Sequence, residues 1–148
     1  MEAYQSYIWN ATARLLIQGG CSQGAMVEAP DPFGRMLFPE AASVPVELRA
    51  LDVPILGHKS KLEEPWQAAA RSVLANEGIT TAELEIPGLR RPYFGEARRP
   101  LFVAAREFRM GQPQRDEFAQ GPPRLRRRLE FVLPRGAYAT VLLRAMGQ

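Results

Sequence analysis

The sequence predicts an α+β fold in which mixed helices combine with short, mainly antiparallel strands. Two stretches carry apolar residues at helical spacing, and one stretch near the C-terminus alternates apolar and polar side chains with a period of two. Turn-forming residues separate these stretches, since the chain holds 12 Gly and 13 Pro among its 148 residues. At this length we expect one domain, or one domain with an appendage.

Both helical stretches lie in the first half of the chain. Residues 3–18 are predicted to form a well-buried helix that ends at Gly19-Gly20. Its apolar stripe consists of Tyr4, Tyr7, Ile8, Ala11 and Leu15. Pro65 is predicted to open a second helix, which Gly78 closes. The apolar face of that helix consists of Trp66, Ala69, Ala70, Val73 and Leu74.

Shorter elements are predicted between and after these helices. In chain order they are a loop at 24–32, a strand from Phe33 to Phe38, a short helix at 45–51, a loop at 53–62 and a buried apolar strand at 100–106. Thr80 and Glu83 have the spacing of a capping box, which predicts one further helical turn.

The C-terminal part of the chain is predicted to form a strand, a turn and a helix. Within residues 125–133, Leu129, Phe131 and Leu133 recur at every second position, as in a strand with one buried face. Pro134-Arg135-Gly136 predicts the turn, and residues 137–146 the helix. One side of this helix would carry Tyr138, Val141, Leu142 and Ala145. The preceding residues, 112–123, are rich in Pro and polar residues and are predicted to be a linker.

Charge is distributed unevenly along the chain. Residues 98–148 hold eleven Arg and four acidic residues, a net charge of +7, whereas residues 1–97 carry −4. The run Arg124-Leu-Arg-Arg-Arg128 is dense enough to bind RNA phosphates with release of counterions. A solvated surface without a partner is an equally weighted interpretation of the same run.

Composition excludes several kinds of site. One Cys and one His cannot supply four zinc ligands, and no glycine-rich phosphate loop is present. His58 is expected to be an ordinary loop residue and Cys21 a structural thiol. No apolar run is long enough for a transmembrane helix, and the N-terminus lacks the features of a signal peptide. We therefore expect a cytoplasmic protein with no membrane contact and no zinc site.

Motifs at the two ends of the chain resemble the TruD family of tRNA pseudouridine synthases. The first, residues 1–10 (MEAYQSYIWN), resembles a helix of that family's inserted domain. The second is more specific and resembles the family's closing segment, Phe-x-Leu-Pro-x-Gly-small-aromatic-Ala-Thr followed by apolar residues and Arg. Its members here are Phe131, Leu133, Pro134, Gly136, Ala137, Tyr138, Ala139, Thr140 and Arg144. Family members often have Ser at the position of Ala137.

The resemblance implies a domain organisation. Residues 1–111 would be part of the inserted domain, residues 112–123 a linker, and residues 124–148 the strand and helix that close the catalytic domain. The whole would resemble the C-terminal part of a pseudouridine synthase fold. A helical pattern that starts at Met1 without a capping residue further indicates that sequence is missing upstream.

The resemblance also implies an activity, the isomerisation of uridine to pseudouridine in tRNA without metal or organic cofactor. An aspartate acts on the flipped base in this family. Asp31, Asp52 and Asp116 do not stand in the catalytic sequence context, so no catalytic residue is assigned in this chain. The expected partners are tRNA and an N-terminal catalytic fragment, and the chain alone is expected to be inactive.

Five residues are candidates for RNA contact. Arg126, Arg128 and Arg135 are expected to contact phosphates, while Tyr138 and Arg144 lie in the matched motif near the expected cleft. Packing of Arg144 on the sheet is an equally compatible role for that residue.

Several alternatives stay open at the level of sequence. Tyr93 and Phe94 would either stack on bases or anchor a loop. The strand at 125–133 would pair with residues 33–38 or 100–106, or leave an open edge. The alternative functions are a non-catalytic RNA-binding module and a truncated gene product with no independent activity.

Overall fold

An α+β architecture is present in the computed structural model, which describes residues 2–31, 34–85 and 97–147. Helices alternate with pairs of short antiparallel strands, so the predicted fold class is confirmed. The chain divides into two compact units, the first formed by Met1–Phe102 with Arg144–Gln148 and the second by Val103–Leu143. The domain boundaries expected at 111 and 123 stay a prediction.

Helix α1 spans Glu2–Gly20 and provides much of the first unit's core. Ile8 of the predicted stripe is buried, as is Ile17, whereas Tyr4 is exposed. The helix continues through the two glycines that were expected to end it. A Cβ atom at Gly20 would overlap a terminal methyl carbon of Leu48, so a larger residue there would require that side chain to shift.

Strands β1 (Met26–Asp31) and β2 (Gly34–Pro39) form an antiparallel hairpin. The expected strand at 33–38 is found, with Phe33 itself outside the described residues, but the expected loop at 24–32 is wrong over β1. Proline lacks an N–H for the ladder and is confined to edge strands. Pro30 fits this rule because β1 and β2 are the two strands of this sheet among the described residues, so each is an edge there.

Helix α2 (Val46–Arg49) is the short helix expected at 45–51, and strand β3 (Asp52–Ile55) follows it. The expected loop at 53–62 is therefore wrong over its first three residues. Val53 and Ile55 are buried on either side of the half-buried Pro54, which is the alternation of a strand. β3 pairs antiparallel with β4 (Ala97–Pro100).

Helix α3 (Gln67–Asn76) is the clearest confirmation of a sequence pattern. Trp66, Ala70, Val73 and Leu74 are buried. Gly78 follows with a φ of +68°, the left-handed conformation that ends many helices and that glycine adopts without strain. The predicted capping box is also present, with Thr80 and Glu83 bonded to each other around a single 3₁₀ turn, Thr81–Glu83.

The second unit is built from four short strands. β5 (Arg106–Met110) pairs antiparallel with β8 (Leu129–Val132), and β6 (Gln114–Arg115) pairs antiparallel with β7 (Leu125–Arg126). The expected linker thus contains a short strand, and the expected strand at 125–133 is interrupted at Arg127-Arg128.

Three features of this region differ from what the sequence led us to expect. Residues 100–106 are not one buried strand, because β4 ends at Pro100 and β5 begins only at Arg106. β8 pairs with β5 and not with residues 33–38, and only Arg106 of the expected 100–106 segment takes part. Helix α4 (Ala139–Ala145) is shorter than expected, and Tyr138 precedes it as an exposed residue instead of lying on its apolar side.

The hydrophobic core belongs to the first unit. Its buried members run from Ile8 to Leu101 and include Trp66, which is only 3% exposed. In the second unit, every residue of which is described, none is fully buried. The second unit has no buried residue and therefore offers most of its side chains to a partner. We place the candidate site there for this reason.

Candidate nucleic-acid interface

The second unit presents a positively charged surface. It contains eight arginines, all exposed, and four acidic residues, giving a net charge of +4. The arginines are Arg106, Arg109, Arg115, Arg124, Arg126, Arg127, Arg128 and Arg135. Guanidinium groups bind phosphate with two parallel hydrogen bonds, so a surface of this composition suits a polyanion.

Arg126 and Arg128, two of the predicted phosphate contacts, lie at the junction of β7 and β8. The Arg126 Nη2 atom is 3.9 Å from Glu117 Oε2, and the Arg128 Nε atom is 2.8 Å from Glu130 Oε1. The Arg128 side chain is 84% exposed. Ion pairs at such exposure contribute little energy and exchange readily for another anion.

Arg135 and Tyr138 flank the turn that joins β8 to α4. The Ala137 N–H donates to the Pro134 carbonyl oxygen at 3.1 Å, and Gly136 has a φ of +88°. This left-handed conformation explains why the motif has glycine at that position. Arg135 and Tyr138 are both exposed, the tyrosine with 60% of its surface in solvent.

Arg144 differs from the other four predicted contacts because it belongs to the first unit. It is half-buried, and its Nη1 atom lies 3.6 Å from the Met36 sulfur of β2. This contact agrees with the packing role that the sequence left open. Long cationic side chains commonly cover apolar atoms in this way.

The hairpin formed by β6 and β7 contains a residue that sequence reasoning missed. Phe118, in the connecting segment, is 80% exposed, and the guanidinium carbon of Arg126 lies 5.4 Å from the centre of its ring. The signal in the sequence was a single aromatic residue inside a polar, proline-rich stretch. Tyr93 and Phe94, which the sequence suggested for base stacking, lie outside the described residues.

The first unit contains an open cleft of about 470 Å³ beside Trp66. Lys59, Lys61 and Arg98 line it, with Glu63 as the acidic member. The loop on one side is held by hydrogen bonds between Gly57 and Ser60 in both directions, at 2.8 and 3.1 Å. The sequence predicted a loop here but not a cleft.

The remaining chemical groups show no catalytic arrangement in the described part of the chain. No group of three or more metal-ligating side chains is found there. Burial raises the pKa of the Cys21 thiol, which disfavours the reactive thiolate. Asp52 is exposed at the start of β3, and the Asp116 carboxylate accepts a hydrogen bond from the Phe118 N–H at 3.1 Å. Asp116 thus has a structural role in its turn.

Comparison with known proteins identifies the family. The family model for tRNA pseudouridine synthase D (TruD) matches residues 44–146, more than two-thirds of the chain. The chain belongs to the TruD family. Its closing motif folds as β8, a glycine-containing turn and α4, as the resemblance implied.

Three curated TruD relatives are similar to this chain. A probable tRNA pseudouridine synthase D 1 of Methanococcus maripaludis is 24% identical over 97% of the chain and 36% of its own length. The tRNA pseudouridine synthase D of Aquifex aeolicus is 26% identical over 97% of the chain and 35% of its own length. That of Geobacter metallireducens is 39% identical over 62% of the chain and 20% of its own length.

The TruD chain described here therefore spans about a third or less of the length of these relatives. No solved structure matches it significantly. Among the described residues, no helix is both long enough and apolar enough to cross a membrane.

Proposed function

We propose that this chain supplies the C-terminal portion of a TruD-type tRNA pseudouridine synthase, which isomerises uridine to pseudouridine in tRNA. The second unit binds the RNA, and the catalytic aspartate is contributed by the N-terminal region of the complete enzyme. The reaction uses no metal or organic cofactor and takes place in the cytoplasm. The proposal rests on family membership and on one structural observation, a charged unit without a buried core.

The second unit has the surface of an incomplete domain. Two-stranded sheets are marginally stable alone, and β8 has β5 as its partner within the described part of the chain. Phe108 of β5 and Phe131 of β8 stack with ring centres 6.4 Å apart, yet Phe108 stays 42% exposed. Met110 and Val132 are exposed as well. An N-terminal catalytic region would cover these apolar side chains and the strand edges that have no partner among the described residues.

The charge of the second unit supports an RNA partner. Arg126, Arg128 and Arg135 are exposed and are proposed to contact phosphates, where their guanidinium groups displace counterions. Tyr138, also exposed, lies in the closing motif and is proposed to contact the RNA beside them. Arg144, which packs on Met36, is proposed to contact RNA with the part of its side chain that remains accessible.

A chimeric enzyme tests the proposal. The segment of the Aquifex aeolicus relative that aligns with this chain is replaced by the chain itself, and pseudouridine in tRNA is measured by mass spectrometry. We expect activity from the chimera, and none from the chain alone or from the relative truncated before the segment. An inactive chimera that folds would count against the catalytic part of the proposal.

A matched variant connects activity with charge. Arg126 and Arg128 are both changed to Gln in the chimera, and Arg35 and Arg71, exposed arginines of the first unit, are changed in a control chimera. The first pair should raise the KM for tRNA strongly, whereas the control pair should change it little. If both pairs changed the KM for tRNA equally, tRNA binding would depend on total charge and not on the arginines of the second unit.

The exposed arginines also favour one alternative, an RNA-binding module without catalysis. This function needs the +4 surface but no catalytic partner. Tight, salt-sensitive tRNA binding by the chain together with an inactive chimera would support it. Absence of both binding and activity would leave the product of a truncated gene as the remaining interpretation.

A further inference from the structure

A phenylalanine ring stands in solvent between β6 and β7. Phe118 is 80% exposed, the highest value among the large apolar side chains of the described residues. Leaving a phenylalanine side chain in water forgoes the favourable free energy of burying its apolar surface. A ring held in this position is therefore available to a partner.

The backbone that carries the ring is fixed locally. The Phe118 N–H donates to Asp116 Oδ1 at 3.1 Å, and the Asp116 N–H donates to the Arg124 carbonyl oxygen at 2.8 Å. Side-chain acceptors of this kind define a turn two residues on. The hairpin ladder continues beyond it through the pairs Arg115↔Leu125 and Gln114↔Arg126. Phe118 is thus presented from a turn with defined geometry.

The charges around the ring favour a nucleotide over an apolar protein pocket. Residues 114–127 hold four arginines and two acidic residues, a net charge of +2. The Arg126 guanidinium lies over the ring at 5.4 Å, within reach of a cation–π contact. An apolar pocket would have to desolvate Arg126 and its neighbour Glu117, which is unfavourable. A base joined to phosphates can use both the ring and the cations.

We propose that Phe118 is a stacking platform for an unpaired base of RNA, with Arg126 on one face of the ring and the base on the other. Arg126 and the adjacent arginines contact the phosphates. Aromatic rings and guanidinium planes are the groups on which proteins stack unpaired bases. This inference rests on the proposed RNA-binding function and names the residue that would give it a preference for single-stranded segments.

Binding of the full chain to fluorescently labelled RNA tests the inference. The probes are a short oligouridine and a tRNA transcript, measured by anisotropy. Phe118→Ala should weaken oligouridine binding about five- to 150-fold, the range that corresponds to loss of one base–aromatic stack. Phe118→Trp should bind as well as the unchanged chain. Leu125→Ala, which removes a 74% exposed apolar side chain from the same hairpin, is the matched control and should bind normally.

Salt dependence separates stacking from charge. Phe118→Ala should leave the slope of log affinity against log salt unchanged, because no phosphate contact is lost. Arg126→Gln should lower both the affinity and the slope. Oligouridine should also quench the additional tryptophan fluorescence of Phe118→Trp, measured against the unchanged chain. Inorganic polyphosphate, which has no bases, should not quench it.

The outcomes distinguish this inference from the function on which it rests. If the chain binds tRNA but Phe118→Ala binds equally well, the stacking role is overturned and RNA binding stands. If the unchanged chain binds neither probe, RNA binding itself fails. If Phe118→Ala weakens chimera folding or stability while RNA affinity is unchanged, the ring contacts protein, which also overturns the inference.

Discussion

The Tyr7 hydroxyl donates a 2.8 Å hydrogen bond to Glu77 Oε1, and the Tyr4 hydroxyl donates to Glu77 Oε2 at 3.1 Å. The Glu77 carboxylate, at the end of α3, thus accepts hydrogen bonds from two tyrosine hydroxyls on successive turns of α1. These bonds join residues 70 and 73 positions apart in the chain, so they fix the packing of the two main helices against each other.

Removal of one of these hydroxyls should destabilise the first unit. Tyr7→Phe deletes the shorter hydrogen bond and leaves the ring in place, so the free energy of unfolding should fall by about 1 kcal/mol. Urea unfolding followed by tryptophan fluorescence measures the change, since Trp66 is buried in the core. Tyr138→Phe makes the same chemical change at an exposed position and should alter stability by less than about 0.5 kcal/mol. If both variants lost the same free energy of unfolding, the hydrogen bond to Glu77 would not be the source of the stabilisation.

The same pair predicts a loss of stability in alkali. The hydrogen bond to Glu77 raises the pKa of Tyr7 above 10.0, and burial followed by the Glu77 bond raises that of Tyr4. The folded state therefore keeps phenolic protons that the unfolded state releases. The stability that these protons contribute is complete below pH 10 and is lost as pH rises through the folded pKa values.

Absorbance of phenolate at 295 nm, followed during a pH titration of the folded chain, checks this prediction. Glu77→Gln should shift part of the titration to lower pH, because the charged acceptor is gone. The variant should also show a smaller loss of stability above pH 10 than the unchanged chain. An unshifted titration would contradict the assignment of Glu77 as the cause.

The two long helices could be predicted because their apolar spacing is undisturbed. Ala70, Val73 and Leu74 are buried as the spacing required, and the capping residues Thr80 and Glu83 also do what their types predict. These features depend on neighbours within four residues, so the local sequence contains the information.

Strands β1 and β3 were missed because Pro30 and Pro54 interrupt their patterns. Whether a proline is tolerated depends on which edge of the ladder it occupies, and that edge is set by a partner strand distant in sequence. The exposed ring of Phe118 was missed for the same reason, since its exposure follows from pairing between β6 and β7. The arginines of the candidate interface could be found from charge alone, but their ion pairs with Glu117 and Glu130 could not.

Packing density in α3 gives a second stability prediction. Ala70 has no exposed surface, whereas Ala68 is exposed two residues earlier in the same helix. Ala70→Leu should destabilise by about 1–3 kcal/mol because the added carbons force core side chains to move. Ala68→Leu adds the same atoms on the surface and should change stability by about 0.5 kcal/mol or less. Urea midpoints of the two variants provide the comparison. An unchanged midpoint for Ala70→Leu would contradict close packing around Ala70.

Glu83 predicts a loss of stability in acid. Its carboxylate accepts hydrogen bonds from the Thr80 N–H at 2.8 Å and the Thr80 hydroxyl at 2.9 Å, which lower its pKa below 4.5. This contribution is complete above pH 4.5 and is lost as pH falls through the folded pKa. Glu83→Gln should therefore show a smaller drop in unfolding free energy between pH 6 and pH 3 than the unchanged chain. Glu47→Gln, at an exposed position of α2, should retain the drop.

The two partners of the exposed ion pair between Arg128 and Glu130 are expected to affect tRNA affinity in opposite directions. Arg128→Gln removes a proposed phosphate contact, so tRNA affinity should fall and the slope of log affinity against log salt should decrease by about one. Glu130→Gln removes the carboxylate 2.8 Å from the Arg128 Nε atom. Binding should become stronger, because an RNA phosphate no longer has to displace this carboxylate from the guanidinium group. Arg35→Gln, at an exposed arginine of β2 that pairs with Glu28, is the control and should leave the slope unchanged. Anisotropy measurements over a range of salt concentrations test all three variants. A weaker complex with Glu130→Gln would mean that Glu130 orients Arg128 for binding and does not compete with RNA.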